Sequence, residues 1–262
     1  MKKFFLAAIL ATMTLASQAQ IQWFSAERPA QRVTKGAYIG VDVSNQSLET
    51  SISLLDSRYG AVSPKAKAGF VLGAALDVAI IKSISIKGAL EFSTKACSTS
   101  NEYTLDLSSS SASSAERHWV KMDMTSSWLS LPIVANYHFF INKDMQVQLG
   151  LGEYIALGLG GSLKHNYGNE FYDSKNYALN KLSETSNSYS YFSEGRFSRF
   201  DYGLVLSAAF QWKNLIGNIQ YRHGFQNLVN NTSVNGDGIR FSPVLNANSK
   251  MRTWYFTVGW MF

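Results

Sequence analysis

The sequence predicts an all-β fold, an eight-stranded antiparallel up-and-down transmembrane β-barrel with long extracellular loops. Three observations carry that expectation. Residues 252–262 alternate strictly, with Trp254, Phe256, Val258, Trp260 and Phe262 on one face and Thr253, Tyr255, Thr257, Gly259 and Met261 on the other. Successive strand side chains point to opposite faces, so this strand has one bulky apolar face and one small or polar face. Its length matches the roughly 9–11 tilted residues that cross a bilayer. Second, the same alternation recurs in seven earlier segments. Third, the connections run long, short, long, short, long, short, long, as in barrels with short periplasmic turns and long external loops.

The amino end reads as an export signal. Met1, Lys2 and Lys3 are basic or initiating, residues 4–15 are an apolar run, and Ser17-Gln18-Ala19 is a small-x-small cleavage site. Residues 1–19 are therefore a signal peptide, 20–34 a periplasmic lead holding Trp23, Phe24 and Pro29, and 35–262 the barrel domain. The apolar run is too short to span a bilayer. The single cysteine, Cys97, excludes an intramolecular disulfide and a lipid anchor on an amino-terminal cysteine. Charged residues make up 16% of the chain, below the usual ~25%. No later apolar run is long enough for a membrane helix. The best, residues 74–81, is short and interrupted by Asp77. A membrane location then requires a closed barrel, because only helices and closed barrels satisfy their backbone in lipid. The formal charge of +6 falls to +4 without Lys2 and Lys3, and no Lys/Arg cluster of the nucleic-acid-binding kind appears.

The first strand is 36–44, with Ala37, Ile39, Val41 and Val43 outward and Tyr38, Gly40 and Asp42 inward. A polar loop at 45–66 follows. Should residues 48–56 pair in a further hairpin, the count rises to ten strands. The second strand, 68–80, turns Phe70, Leu72, Ala74, Leu76 and Val78 out and Gly69, Gly73, Ala75 and Asp77 in. A short turn at Lys82 leads to the third, 84–93, with Lys87 and Glu91 inward. The long connection 94–127 keeps its alternation at Tyr103-Leu105-Leu107 and Val120-Met122-Met124, so strands three and four are expected to project as a hairpin. In the fourth strand, 128–140, Ser130, Asn136 and His138 face in. Pro132 cannot donate to the ladder, which predicts a local bulge. After the Asn142-Lys143-Asp144 turn comes the fifth strand, 146–158, where Glu153 falls on the lipid face unless a bulge near Gly150 or Gly152 turns it inward. The longest loop is 160–199. The sixth strand, 200–212, places Asp201, Gly203, Ser207 and Gln211 inward. Lys213-Asn214 turns into the seventh, 215–223, with Asn218, Gln220 and Arg222 inward. A soluble, lipocalin-like barrel would need a polar outside and an apolar inside, the reverse of these sets.

Inward charges Asp42, Asp77, Lys87, Glu91, Asp201 and Arg222 form a candidate lumen network. It reads either as structural salt bridges compensating buried charge or as a narrow conduit or proton-linked switch. No catalytic residue is assigned. Lipid-modifying barrels need a nucleophile and base held by a carboxylate. His118 and His165 fall in loops, His138 at the periplasmic rim, and His223 at the outer interface without a nearby serine. No metal spacing or cofactor motif appears, so no metal and no cofactor is expected. Tyr167, Phe171, Tyr172, Tyr177, Tyr189 and Tyr191, interleaved with Ser and Asn, suit an extracellular contact loop, or an exposed loop without a partner. Trp254, Phe256, Trp260 and Phe262 are expected to serve barrel closure, and resemblance to other outer-membrane barrels implies that the terminal aromatic acts as an insertion signal. Cys97 is expected at the external end of the third strand, reduced or packed.

Several stretches resemble the PorT-like outer-membrane β-barrel family of Bacteroidetes. These are Gly69-Phe70 with Gly73 and Asp77, Trp128-Leu129-Ser130-Leu131-Pro132-Ile133, Phe200-Asp201-Tyr202-Gly203, and the aromatic carboxy-terminus. The resemblance covers about residues 33–262, and Glu153 departs from it where the family often has proline. It implies an outer-membrane barrel whose motifs are scaffold rather than catalytic. Its founding member is linked to gliding and type IX secretion. The expected function is a non-enzymatic barrel for structure, adhesion or a secretion or envelope assembly. A small-solute porin is the alternative and a lipid-modifying enzyme the third. The expected partners are outer-membrane lipid, the barrel-assembly machinery during biogenesis and an envelope or secretion protein, with no nucleic acid. Strand number separates the first two readings, since eight strands leave no open channel and about 16 do.

Overall fold

Alternation of large apolar and small or polar residues commits the chain to strands, and the computed structural model contains nine of them among the residues it describes. It describes residues 24–49, 63–106, 114–173, 178–192, 197–228 and 248–262. The strands are β1 (Val33–Glu49), β2 (Ser63–Ile81), β3 (Ile84–Asp106), β4 (Ser114–Phe140), β5 (Met145–Asp173), β6 (Ala178–Ser190), β7 (Phe200–Trp212), β8 (Leu215–Gly224) and β9 (Asn248–Met261). β1 pairs with both β2 and β9, and β4 with both β3 and β5, so the sheet closes. Eight strands form the closed ring. β6 pairs with β5 alone, through residues that lie beyond the β5–β7 contact. No helix among the described residues is long and apolar enough to cross a membrane.

The stagger of the ring follows from its register. Successive paired residues run from Thr34 through Asp77, Lys87, Val134, Gly152, Val205, Arg222 and Thr253, and return to β1 at Ser44, ten residues further along. Such a shear in an eight-stranded ring tilts the strands by about 40°. The outer face is apolar on every strand. Ile39, Leu72, Leu90, Ile133, Leu151, Leu206, Ile219 and Val258, one from each ring strand, are all exposed. A contiguous apolar surface of this extent belongs against lipid. Trp212, Trp260 and Phe262 mark its periplasmic edge, and Phe70, Phe200, Tyr202, Phe225 and Trp254 lie toward the other edge. The membrane-spanning segments are 36–44, 68–80, 84–93, 128–140, 146–158, 200–212, 215–223 and 252–262.

The periplasmic turns are tight. Asn142 Oδ1 accepts the Asp144 N–H at 2.9 Å. Lys213 takes a left-handed conformation with φ 52° in the two-residue β7–β8 turn. Residues 24–32 lie across the β2–β3 turn, where Lys82 N–H donates to Glu27 O and Ala79 N–H to Arg32 O, both at 2.8 Å.

β3, β4 and β5 run well past the lipid band. β3–β4 pairing continues to Asp106↔Ala115, as expected for a projecting hairpin, and β4–β5 pairing to Ser114↔Asp173. Lys67–Asp123 at 2.5 Å, Arg117–Glu102, and Arg117–Glu170 at 3.6 Å tie this wall together. Exposed pairs of this kind contribute about 0–1 kcal/mol each.

Three expectations need correction. Residues 160–199 are largely not a loop, because β5 extends to Asp173 and β6 adds an edge strand. The stretch carries no lipid-facing stripe, yet the projecting β4 offers an edge along which β5 continues, and β5 in turn pairs with β6. His118 and His165 consequently sit in strands. Pro132 introduces no bulge. It stays opposite Tyr154 in unbroken register, and the irregularity in the β4–β5 ladder falls between Ser127 and Trp128. Glu153 keeps the lipid-facing position that alternation gives it, and the inward-turning bulge near Gly150 or Gly152 does not form. Pairing through Gly150 and Gly152 is regular on both sides, which leaves its side chain on the outer face. Residues 50–56 of the ten-strand alternative lie outside the described residues.

Candidate functional site

The interior is the one place where polar chemistry concentrates, and the alternation of every ring strand puts it there. Arg222 on β8 is buried at its centre. Its Nη2 donates to Glu91 on β3 and, at 2.8 Å, to Gln220 Oε1. The Tyr38 hydroxyl on β1 donates to the other oxygen of Glu91. Two aromatic faces flank the guanidinium, with the Tyr255 ring 4.3 Å and the Tyr154 ring 5.4 Å from it. Above this cluster, the Tyr154 hydroxyl donates to Asp201 Oδ2 at 2.8 Å, and the Ser44 hydroxyl to Asp42 Oδ2 at 2.7 Å. Asp77 stands opposite Lys87 across β2 and β3, one residue pair of the ladder. The structure thus brings Glu91 and Arg222 into direct contact. Asp42 and Asp201 bond to hydroxyls, and Asp77 and Lys87 pair only by register.

Alternation carried further would also have found Lys95. It lies in frame with Lys87 and Glu91, is buried, and stands 5.1 Å from the Trp128 ring. Tyr154 and Tyr255 were legible as inward positions but not as partners of Asp201 and Arg222. Asp42 Oδ1, Asp201 Oδ1, and Arg222 Nε and Nη1 are buried without a hydrogen-bond partner among the described residues. Groups of this kind require water. A cavity of about 30 Å³ lined by Tyr38, Lys87, Glu91, Asn218, Gln220 and Thr257 has room for about two.

Beyond the charges the lumen turns apolar. Trp128, Tyr154, Leu163, Tyr191, Phe192 and Leu228 belong to one buried cluster. The Phe192 ring meets Trp128 edge-on at 5.5 Å, and Tyr191 stacks on Phe197 at 4.3 Å. Here the contact-loop expectation is corrected for one residue. Tyr191 is buried, with its hydroxyl donating to Gln46 Oε1 at 2.8 Å, because the chain after β6 folds inward over the mouth. Tyr189 is partly buried against the same cluster. Tyr167, Phe171 and Tyr172 lie on β5 as backbone positions, and Tyr177 lies outside the described residues. Trp254, Phe256, Trp260 and Phe262 all point outward. The Phe262 backbone exchanges hydrogen bonds with Lys35, at 2.7 and 2.9 Å, beside the β1–β9 ladder that closes the ring.

Cys97 packs in the apolar cluster, with Sγ 3.8 Å from Gln46 Oε1. Burial pushes its thiol up to about 12. The reactive thiolate is then scarce at neutral pH. A maleimide is expected to label folded protein slowly and urea-unfolded protein promptly. Rapid labelling of the folded form, followed by mass spectrometry, would place Cys97 at the surface.

Among the described residues a serine and a histidine meet on the lumen side of the periplasmic rim. Ser85 Oγ lies 2.7 Å from His138 Nε2, and His138 Nδ1 lies 3.1 Å from Gln146 Oε1. Both Ser85 and His138 are buried, and the third member is a neutral amide. It can orient the ring but cannot stabilise an imidazolium as a carboxylate does.

Residues 18–230 match the family described as "Outer membrane protein beta-barrel domain". The chain belongs to that family. It is an integral outer-membrane β-barrel protein. Among solved structures it is similar to Ail, the attachment invasion locus protein of Yersinia pestis, at 14% identity over 88% of this chain and 100% of that one, TM-score 0.34. It is also similar to Neisserial surface protein A, at 10% identity over 88% and 97%, TM-score 0.36. OprG of Pseudomonas aeruginosa gives 11% identity over 90% and 98%, TM-score 0.35. No curated protein matches the chain.

Proposed function

We propose that the protein is a non-enzymatic, non-conducting barrel that anchors an extracellular β wall in a structural, adhesive or assembly role. The observation that carries this reading is the occluded lumen. Among the described residues the Arg222–Glu91–Tyr38 cluster and the aromatic mouth fill the lumen beside a cavity of only about 30 Å³, which supports a barrel that does not conduct. The projecting strands β3 to β6 supply the other half, since a barrel alone does not need strands twice the height of its lipid band. Wall residues around Tyr189 are the proposed contact surface for an envelope or secretion protein. The four motifs named above support placement near the PorT-like members. The amino-terminal basic, apolar and small-x-small pattern supports export by cleavage after Ala19, and the terminal aromatic residues support recognition by the barrel-assembly machinery.

The test is reconstitution in planar bilayers. The expected result is no stable single-channel current. Large, long-lived steps would favour the small-solute porin. Crosslinking in intact cells, followed by recovery of the protein from outer membranes, is expected to capture an envelope protein through the wall. Lipid hydrolysis or acyl transfer abolished by Ser85→Ala would overturn the non-enzymatic reading.

A further inference from the structure

Glu153 is the only carboxylate on the outer face of the lipid band among the described residues. It is exposed between Ile133 on β4 and Leu204 on β7, both exposed apolar residues, with Leu151 and Ile155 on either side along β5. No cation or hydrogen-bond donor among the described residues reaches it. A carboxylate at this depth is costly in lipid and persists where a partner covers it.

The same face carries matching donors. Leu204 pairs onward with His223, and Leu206 with Tyr221, so β8 presents an imidazole and a phenol outward on the far side of β7. The Tyr221 and His223 rings rest against Trp254 at 4.8 Å and Phe225 at 5.7 Å. Neither side-chain polar group bonds to another described residue. The shear raises each successive strand by about 3 Å, so His223 lies about 6 Å further from the periplasmic edge than Glu153, whereas Tyr221, two residues back along β8, returns to nearly the depth of Glu153. A two-fold axis along the membrane normal over β7 at Leu204 and Leu206 would lay Glu153 of one copy against Tyr221 of another, twice. This is the self-complementarity that an isologous interface requires.

We propose that the β5–β7–β8 face is a homodimer interface within the membrane, held by Glu153 of each copy accepting a hydrogen bond from the Tyr221 hydroxyl of the other. The surface is distinct from both lumen and extracellular wall.

The test places single cysteines in full-length Cys97→Ser protein in native outer membranes, and treats them with a short bis-maleimide. Leu204→Cys, on the proposed axis, is expected to give a crosslinked dimer. Leu72→Cys, exposed on β2 across the barrel, is expected to give about ten-fold less or none. Adding Glu153→Leu, or Tyr221→Phe, is expected to cut the Leu204→Cys dimer by about ten-fold. Heat-modifiable migration identifies folded protein in every lane, so a folding defect is not mistaken for lost association. Equal crosslinking from Leu204→Cys and Leu72→Cys, a dimer indifferent to Glu153→Leu, or an adduct with a different protein would each overturn the proposal.

Discussion

Arginine at position 258 is expected to prevent most of the protein from assembling. Val258 is exposed on the outer face of β9, between Ile39 on β1 and Gly217 on β8, inside the apolar band. A cation near the bilayer midplane of a barrel wall costs roughly 2–4 kcal/mol, and near the interfaces about 0–1 kcal/mol. Val258→Arg carries the first cost and Phe225→Arg, beyond the end of β8, the second. The strand affected also closes the ring, and an unpaired edge in lipid leaves backbone groups costing several kcal/mol each. Loss of β9 pairing therefore opens the whole sheet. Thr257→Arg, one residue away, faces inward beside the cavity of about 30 Å³. It escapes the lipid cost and meets overpacking, about 1–3 kcal/mol. The measurement is the fraction of heat-modifiable, membrane-assembled protein. Equal yields from Val258→Arg and wild type would move that face out of lipid. Deletion of Phe262 is expected to lower assembled yield while leaving the midpoint of the assembled fraction almost unchanged.

The second large effect lies inside. Arg222→Met is expected to destabilise the barrel by about 3–5 kcal/mol, because it strips Glu91 of its ion pair and leaves a buried carboxylate with the Tyr38 hydroxyl alone. The cost arises from the orphaned charge more than from the lost attraction. Arg222→Met with Glu91→Leu is accordingly expected to recover most of the loss, since apolar pairs of similar volume replace buried ion pairs with little penalty. The double-mutant cycle isolates the coupling. Urea midpoints of the folded band in detergent or lipid supply the readout. An unchanged midpoint for Arg222→Met would show that the cluster does not carry the stability of the lumen.

The two predictions differ in how far they could be drawn from residues alone. The face of Val258 follows from the pleat, and so do those of Asp42, Glu91 and Arg222. That Arg222 meets Glu91, on a strand far around the ring, depends on a shear of ten residues that no local pattern encodes. A missing donor at Pro132 does not by itself force a bulge: the strand keeps its register with Tyr154, since the residues on either side remain paired to β5. The 160–199 stretch lacks the lipid-facing stripe that makes the membrane strands legible. Outside the membrane, β6 needs only the open edge of β5 and backbone groups to match it.

The sequence by itself determined the fold class, the turn ends and, for most ring positions, which side chains face lipid or lumen. These are consequences of a two-residue period and of connection lengths, both local properties of the chain. The tertiary structure alone decided which inward residues touch, how the mouth closes over Tyr191 and Phe192, that β6 joins the wall, and that Glu153 stays outside. Each of these depends on where strands distant in sequence come to rest against one another, and closure of the barrel sets that for all of them at once.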